Sequence, residues 1–211
     1  MAQSSPSGFV HLPGHLSQSD QLRLVSEVRR IEALAPLYVP SMPNTGRPFS
    51  VEMTNCGELG WVSSKSGGYR YQPRHPFAAC TWPPIPPTLL DLWQSVASYC
   101  ADPEACLINW YKPGAKLGLH VDADEQDVAA PVVSVSLGDD AWFRIGGTRR
   151  RDPTRRLLLK SGDIIVLGGD ARLAYHGIDR IVPDTSAILG KPGRYNLTMR
   201  RVNPPQENAA R

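Results

Sequence analysis

The tripeptide His120-Val121-Asp122, at the end of a short apolar stretch, constrains this chain more than any other feature. On an extended strand residues i and i+2 project from one face, so the imidazole of His120 and the carboxylate of Asp122 converge on one point. A second imidazole from the distant His176 would place two nitrogens and one oxygen on one side of a metal. That is the facial triad of non-haem Fe(II) oxygenases, in which the opposite positions stay open for a co-substrate and O2. Arg194 and Arg200 follow as candidate clamps for an acidic co-substrate, because guanidinium pairs bidentately with carboxylate. An H-x-D tripeptide alone is weak evidence. The ordered set of H-x-D, a late His and a following Arg-bearing strand is much stronger.

The rest of the chain predicts a scaffold suited to such a site. From about residue 105 the pattern is one of short strands: 105–111, 131–137, 157–159, 164–167 and 195–200. Lys160-Ser161-Gly162-Asp163 reads as a tight turn between the third and fourth of these. Many short strands carrying inward ligands suggest a mainly β protein with flanking helices, built on a double-stranded β-helix of the jelly-roll, cupin-like kind. Two helices are legible earlier. Residues 19–35 place Leu24, Val28, Ile31 and Ala35 at helical spacing behind Ser17 and Asp20. Residues 88–100 do the same with Leu89, Leu90, Trp93, Val96 and Ala97, Thr88 and Asp91 matching a start signal. Between them, residues 36–86 are rich in Pro, Gly and aromatics, which suggests binding loops, with a lid at about 50–86. A strand continuing beyond Asp122 would bring Asp124 onto the face of His120 and Asp122 as well. The expected organisation is one domain over 17–200, with frayed tails at 1–16 and 201–211.

Twenty-three basic against twenty acidic residues leave a net charge of +3, too mild to argue nucleic-acid binding by itself. Cys56, Cys80, Cys100 and Cys106 show no C-x-x-C spacing and read as reduced thiols. With no apolar run long enough for a bilayer and no signal-peptide pattern at the start, a cytoplasmic protein without a membrane partner is expected.

In the segment Arg194-Tyr195-Asn196-Leu197-Thr198-Met199-Arg200, the residues Arg194, Asn196, Thr198 and Arg200 share one face, and Tyr195, Leu197 and Met199 the other. Taken alone this is also the pattern of an edge strand with solvated arginines; beside the triad it reads as a clamp. Together with Met53-Thr54-Asn55-Cys56-Gly57, Leu59-Gly60-Trp61, Ala105-Cys106-Leu107-Ile108-Asn109, Tyr111-x-Pro113-Gly114-Ala115-Lys116-Leu117 and Tyr175-His176-Gly177, these motifs resemble the bacterial AlkB family. Its members are Fe(II)/2-oxoglutarate dioxygenases that repair alkylated nucleic-acid bases. The likeness runs from about residue 50 to 200; Trp110 departs from a basic family position, and the stretch 179–193 diverges.

The resemblance implies that His120, Asp122 and His176 bind iron and carry catalysis, and that Asn109, Tyr111, Arg194, Asn196 and Arg200 hold 2-oxoglutarate. Trp61 would stack on the damaged base, Tyr69 and Tyr71 would lie near the lesion and its phosphates, and Asp124 and Arg150 would contact the substrate. It further implies oxidative demethylation of bases such as 1-methyladenine and 3-methylcytosine, releasing formaldehyde, succinate and CO2. The expected partner is alkylated single-stranded or flipped-out DNA, with RNA left open, acted on by a monomer. Competing readings are an oxygenase of a protein or small molecule, a non-catalytic nucleic-acid binder, and a cupin-like isomerase. The last would have no use for Arg194 and Arg200.

Overall fold

A computed structural model describes residues 6–205. Its strands are β1 (Phe9–Leu12), β2 (Glu52–Gly57), β3 (Gly60–Ser64), β4 (Gly68–Gln72), β5 (Ala105–Tyr111), β6 (Leu117–His120), β7 (Val132–Gly138), β8 (Asp140–Ile145), β9 (Arg155–Leu159), β10 (Ile164–Leu167), β11 (His176–Val182) and β12 (Arg194–Arg200). A six-stranded sheet has the order β1-β10-β7-β12-β5-β2, and a four-stranded sheet the order β6-β11-β8-β9. The hairpin β3-β4 stands apart as a third sheet. This is the expected jelly-roll architecture with two flanking helices.

Strand alternation decides what each face of the large sheet does. Cys106, Ile108 and Trp110 of β5, Val133, Val135 and Leu137 of β7, and Tyr195, Leu197 and Met199 of β12 face the helices. The opposite face contributes Tyr111, Val132, Ile165 and Leu167 to a second core, closed from the small sheet by Ala141, Phe143, Ile145, Leu159, Ile178 and Ile181. The polar members of β12 therefore point between the sheets, where a pocket can form.

Helix α1 (Gln18–Leu34) starts as the sequence predicts, with the Ser17 hydroxyl accepting the Asp20 N–H at 3.2 Å, and it buries Leu24, Val25, Val28 and Ile31. Helix α2 (Pro87–Val96) is shorter than expected. Pro86 occupies its N-cap, while Thr88 donates across to Glu27 of α1 at 2.9 Å instead of capping. The helix ends before Ser98, which takes a φ of 49° that no helix continues through.

Three other expectations need correction. Part of the predicted N-terminal tail is a strand: β1 pairs with β10 from Phe9↔Leu167 to Leu12↔Ile164, and the buried Asp163 carboxylate ties it down by accepting from His11 at 3.0 Å and the Gly14 N–H at 2.8 Å. The chain just past β12 is anchored as well, since Val202 and Asn203 donate backbone N–H groups to Glu104. The predicted lid begins later than residue 50, because β2 pairs with β5 over its whole length as an edge of the large sheet. The turn predicted at Lys160–Asp163 forms, with the Asp163 N–H donating to the Lys160 carbonyl at 3.1 Å, and it carries the chain from the small sheet to the large one. Among the described residues no helix is long and apolar enough to cross a membrane.

Candidate active site

Strand β6 ends at His120, and His176 opens β11 directly opposite it in the antiparallel register. Asp122 lies just beyond the strand, in an irregular segment that runs to Pro131. One ligand atom from each of His120, Asp122 and His176 falls within 4.8 Å of the others. His120 Nε2 stands 3.7 Å from one Asp122 oxygen and His176 Nε2 3.9 Å from the other.

The tautomers follow from the backbone. Each Nδ1 lies 2.9 Å from a carbonyl oxygen, of Gly118 for His120 and of Ala174 for His176. A carbonyl can only accept, so Nδ1 carries a proton and Nε2 is the nitrogen turned toward Asp122. Burial, helped by repulsion from His120, pulls His176 from 6.5 to about 4 and keeps it neutral at physiological pH. Burial alone would raise the Asp122 carboxyl, but the Arg200 guanidinium and the two imidazoles outweigh it and hold the group far below the ordinary carboxylate range. Two imidazoles and one carboxylate, with chain on one side only, suit Fe(II).

Arg200 donates to a single Asp122 oxygen, through Nη2 at 2.7 Å and Nε at 3.2 Å. It orients a candidate metal ligand as well as lining the cavity. Arg194 is different. It is fully buried, and among the described residues its only side-chain partner is the Ser136 hydroxyl at 2.8 Å, while its Nε and Nη1 have none. Burial lowers it from 12.5 to about 10, so it remains a cation. A buried guanidinium with two unsatisfied donors and no carboxylate beside it is a costly arrangement unless an anion completes it. Asn196 donates to Ser134 at 2.7 Å, and Thr198 donates to Asn196 at 3.0 Å, so the polar face of β12 is ordered around that spot. Asn109 and Tyr111 of β5 join Arg194, Asn196 and Arg200 in lining one cavity of about 480 Å³, which also contains the triad.

The mouth of this cavity holds Trp61, Tyr69, Asp124 and Arg150. Trp61 and Tyr69 stack across the β3-β4 hairpin with centroids 5.3 Å apart and rings inclined by 27°. The Trp61 indole N–H donates to Asp124 at 2.7 Å. No strand continues past His120, so Asp124 shares no strand face with Asp122; the irregular segment brings it to the mouth instead. Arg150 donates to the Leu119 carbonyl at 3.1 Å and lies over the Tyr175 ring.

Tyr71 does not line the cavity. Its hydroxyl is bonded to Glu125, a residue that sequence reasoning misses together with Arg172. Glu125 accepts from Arg172 Nη2 at 2.9 Å and stands 3.3 Å from Arg200 Nε. Arg172 in turn donates to the Asp122 carbonyl at 2.5 Å and the Ala130 carbonyl at 2.9 Å, pinning both ends of the irregular segment. These partners lie more than forty residues apart in sequence and follow no periodic pattern. Arg172 itself lies between Ala171, which is buried, and Leu173, which is exposed, so nothing local marks it.

Residues 8–200 match the family model of the 2OG-Fe(II) oxygenase superfamily. The chain is 50% identical over 195 residues to an alpha-ketoglutarate-dependent dioxygenase AlkB homolog of Caulobacter vibrioides, covering 92% of this chain and 88% of that protein. It is 44% identical over 184 residues to the alpha-ketoglutarate-dependent dioxygenase AlkB of Escherichia coli, covering 85% and 84%. Among solved structures, OsALKBH1 superposes with a TM-score of 0.78 at 30% identity, over 94% of this chain and 98% of that one.

Proposed function

The chain belongs to the 2OG-Fe(II) oxygenase superfamily and within it to the AlkB-type dioxygenases, and from that membership we propose how its own residues divide the work of oxidative nucleic-acid demethylation. His120, Asp122 and His176 would hold Fe(II), with Arg200 fixing one Asp122 oxygen so that the other is presented to the metal. Arg194 would take the distal carboxylate of 2-oxoglutarate, assisted by the ordered hydroxyls and amide of Ser136, Asn196 and Thr198. When bound, iron and 2-oxoglutarate supply, with O2, the oxidising equivalents that hydroxylate an N-alkyl carbon, whose adduct then sheds formaldehyde. The orphaned Arg194 cation in the same cavity as the triad is the observation that carries this reading.

The mouth sets the substrate. A base inside a duplex cannot reach a metal at the bottom of a cavity, so the target is single-stranded or flipped out. Trp61, already stacked on one side by Tyr69, offers an aromatic surface for an extruded base, a contact worth about 1–3 kcal/mol and tolerant of base identity. Asp124, held in place by the Trp61 indole, puts a carboxylate beside that surface. Bases such as 1-methyladenine and 3-methylcytosine are cationic near neutral pH, and attraction to a carboxylate grows as water is excluded. One chain supplies every group in this scheme, which supports action as a monomer.

The test is mass spectrometry of single-stranded oligonucleotides carrying 1-methyladenine or 3-methylcytosine after incubation with Fe(II), ascorbate and 2-oxoglutarate. Restored bases with equimolar formaldehyde are expected. Succinate formation that no methylated oligonucleotide stimulates would assign the enzyme to a protein or small-molecule substrate instead.

A further inference from the structure

Among the described residues no helix packs on the outer face of the small sheet, and its composition is unlike the rest of the molecule. Ala141, Phe143 and Ile145 of β8 turn into the core, so Trp142 and Arg144 point out. On β9 the register sets Arg156 beside Arg144 and Leu158 beside Trp142. On β11 the register shifts between Ile178 and Arg180, and Arg180 then faces Trp142. The extra residue of this bulge, Asp179, lies among the arginines, bonding Arg144 at 2.7 Å and Arg156 at 2.7 Å. The β8–β9 turn adds Arg149, Arg150 and Arg151, all exposed, with Asp152 bonded inward to the Arg149 backbone N–H.

Six arginines against three aspartates, Asp140 at the start of β8 being the third, give this face a charge of +3, equal to that of the whole chain. The remainder of the protein is therefore neutral on balance, and the excess of positive charge lies here. The strip is also continuous with the candidate site: Arg150 lines the cavity mouth, and Arg144 lies in β8 next to Ile145, which pairs with His176. Basic side chains along a track, with an aromatic ring among them, are what a single strand of nucleic acid recognises, through its phosphates and its base faces.

We propose that the outer face of β8, β9 and β11 is a second nucleic-acid contact, on which the strand flanking the target base runs from Arg150 across Arg144, Arg156 and Arg180, with Trp142 available to stack a flanking base. Arg144 and Arg156 are held side by side by Asp179, so the track is ordered before the strand arrives. The proposal rests on the demethylation reading given above and extends it from the base to the strand that carries it.

The test compares a methylated trinucleotide with methylated 15-nucleotide strands in which the lesion sits near one end or the other. Arg156→Gln with Arg180→Gln removes two exposed cations and touches no group assigned to the metal, the co-substrate or the base. Trinucleotide turnover should be unchanged. Affinity for the long strand with the correct flank should fall by about tenfold. Its log–log salt slope should become shallower by about 1.4, because each phosphate that a cation neutralises on a single strand adds roughly 0.7. Long-strand affinity and salt slope equal to those of the wild type would overturn the proposal and leave the face for an acidic protein partner. Failure of the wild type to turn over the methylated trinucleotide would count against the demethylation reading itself, so the two failures are distinguishable.

Discussion

At the scale of single residues, Arg194 is where stability and function conflict most openly. A fully buried guanidinium with two unpaired donors destabilises the ligand-free protein, at about 1–3 kcal/mol for each group left unsatisfied. Arg194→Met should therefore leave the melting temperature equal or higher, while abolishing the stabilisation that 2-oxoglutarate gives the wild type. Thermal melts with and without 2-oxoglutarate decide this, and a variant still stabilised to the same extent would move the carboxylate site elsewhere. Asp124 can be dissected as cleanly. Asp124→Asn keeps an oxygen for the Trp61 indole N–H and removes only the charge. It should lower activity on cationic lesions about tenfold relative to a neutral one such as 1-methylguanine, since about 1.4 kcal/mol of attraction removed is a factor of ten. Equal losses on both would make Asp124 a mere anchor for Trp61. His176 supplies the pH dependence. Its folded value of about 4 lies below the usual 6.5, so the unfolded chain binds more protons between the two. The contribution is complete above pH 6.5 and is lost as the pH falls toward 4, reaching about 2 kcal/mol of lost stability at pH 5. Urea titrations of metal-free protein at pH 7 and 5 should show this loss in the wild type and much less of it in His176→Gln; the same loss in both would place its origin in another group. These residues are legible because their chemistry is written locally, in an H-x-D tripeptide and an alternating strand. Glu125 and Arg172 are not, because each is defined only by partners that the fold brings from elsewhere.

At the scale of elements, periodicity reveals what packing faces require and little else. The strands β5, β7, β10 and β12 and both helices carry continuous apolar faces and can be read from the chain. The strands β8 and β11 cannot. Their exposed positions hold Arg144, Arg180 and Trp142, and β11 is broken by a bulge, so the two-residue alternation is interrupted. The same blindness applies to β1, whose four residues read as part of a tail. The tail reading and the structure make opposite predictions. Deletion through Leu12 would cost nothing if the segment were frayed. In the structure it strips β10 of its edge partner, removes Phe9 from the second core and leaves Asp163 without His11. A fall in the melting temperature of several degrees is expected, since about 1 kcal/mol shifts a domain of this size by roughly 2–4 °C. Calorimetry of the truncated protein checks it, and an unaltered transition would return the segment to the status of a tail.

At the scale of the whole molecule, three sheets converge on one carboxylate. Tyr71 brings the β3-β4 hairpin to Glu125, Arg200 brings the large sheet, and Arg172 brings the short helix Gly169–Leu173 that leads into His176 and the small sheet. The hairpin proposed to recognise the base and the groups proposed to hold the metal are thus joined through Glu125, although Tyr71 itself stays out of the cavity. Such a junction has a kinetic signature. An oxygenase whose substrate-binding hairpin is coupled to its metal site consumes 2-oxoglutarate productively when the base is seated; loosening the link lets the co-substrate turn over without demethylation. Tyr71→Phe tests this with little disturbance, because the buried ring is kept and Glu125 retains both arginines. In the presence of a methylated oligonucleotide, succinate formed per formaldehyde should rise at least twofold above the wild-type ratio, with the melting temperature lowered by no more than the loss of one hydrogen bond, about 1 kcal/mol, implies. Both products are measured in the same reaction, so a general loss of activity cannot imitate the effect. A ratio that stays at the wild-type value while the rate falls would mean that the Tyr71–Glu125 contact only holds the hairpin in place, and that recognition of the base and use of the co-substrate are linked by another route.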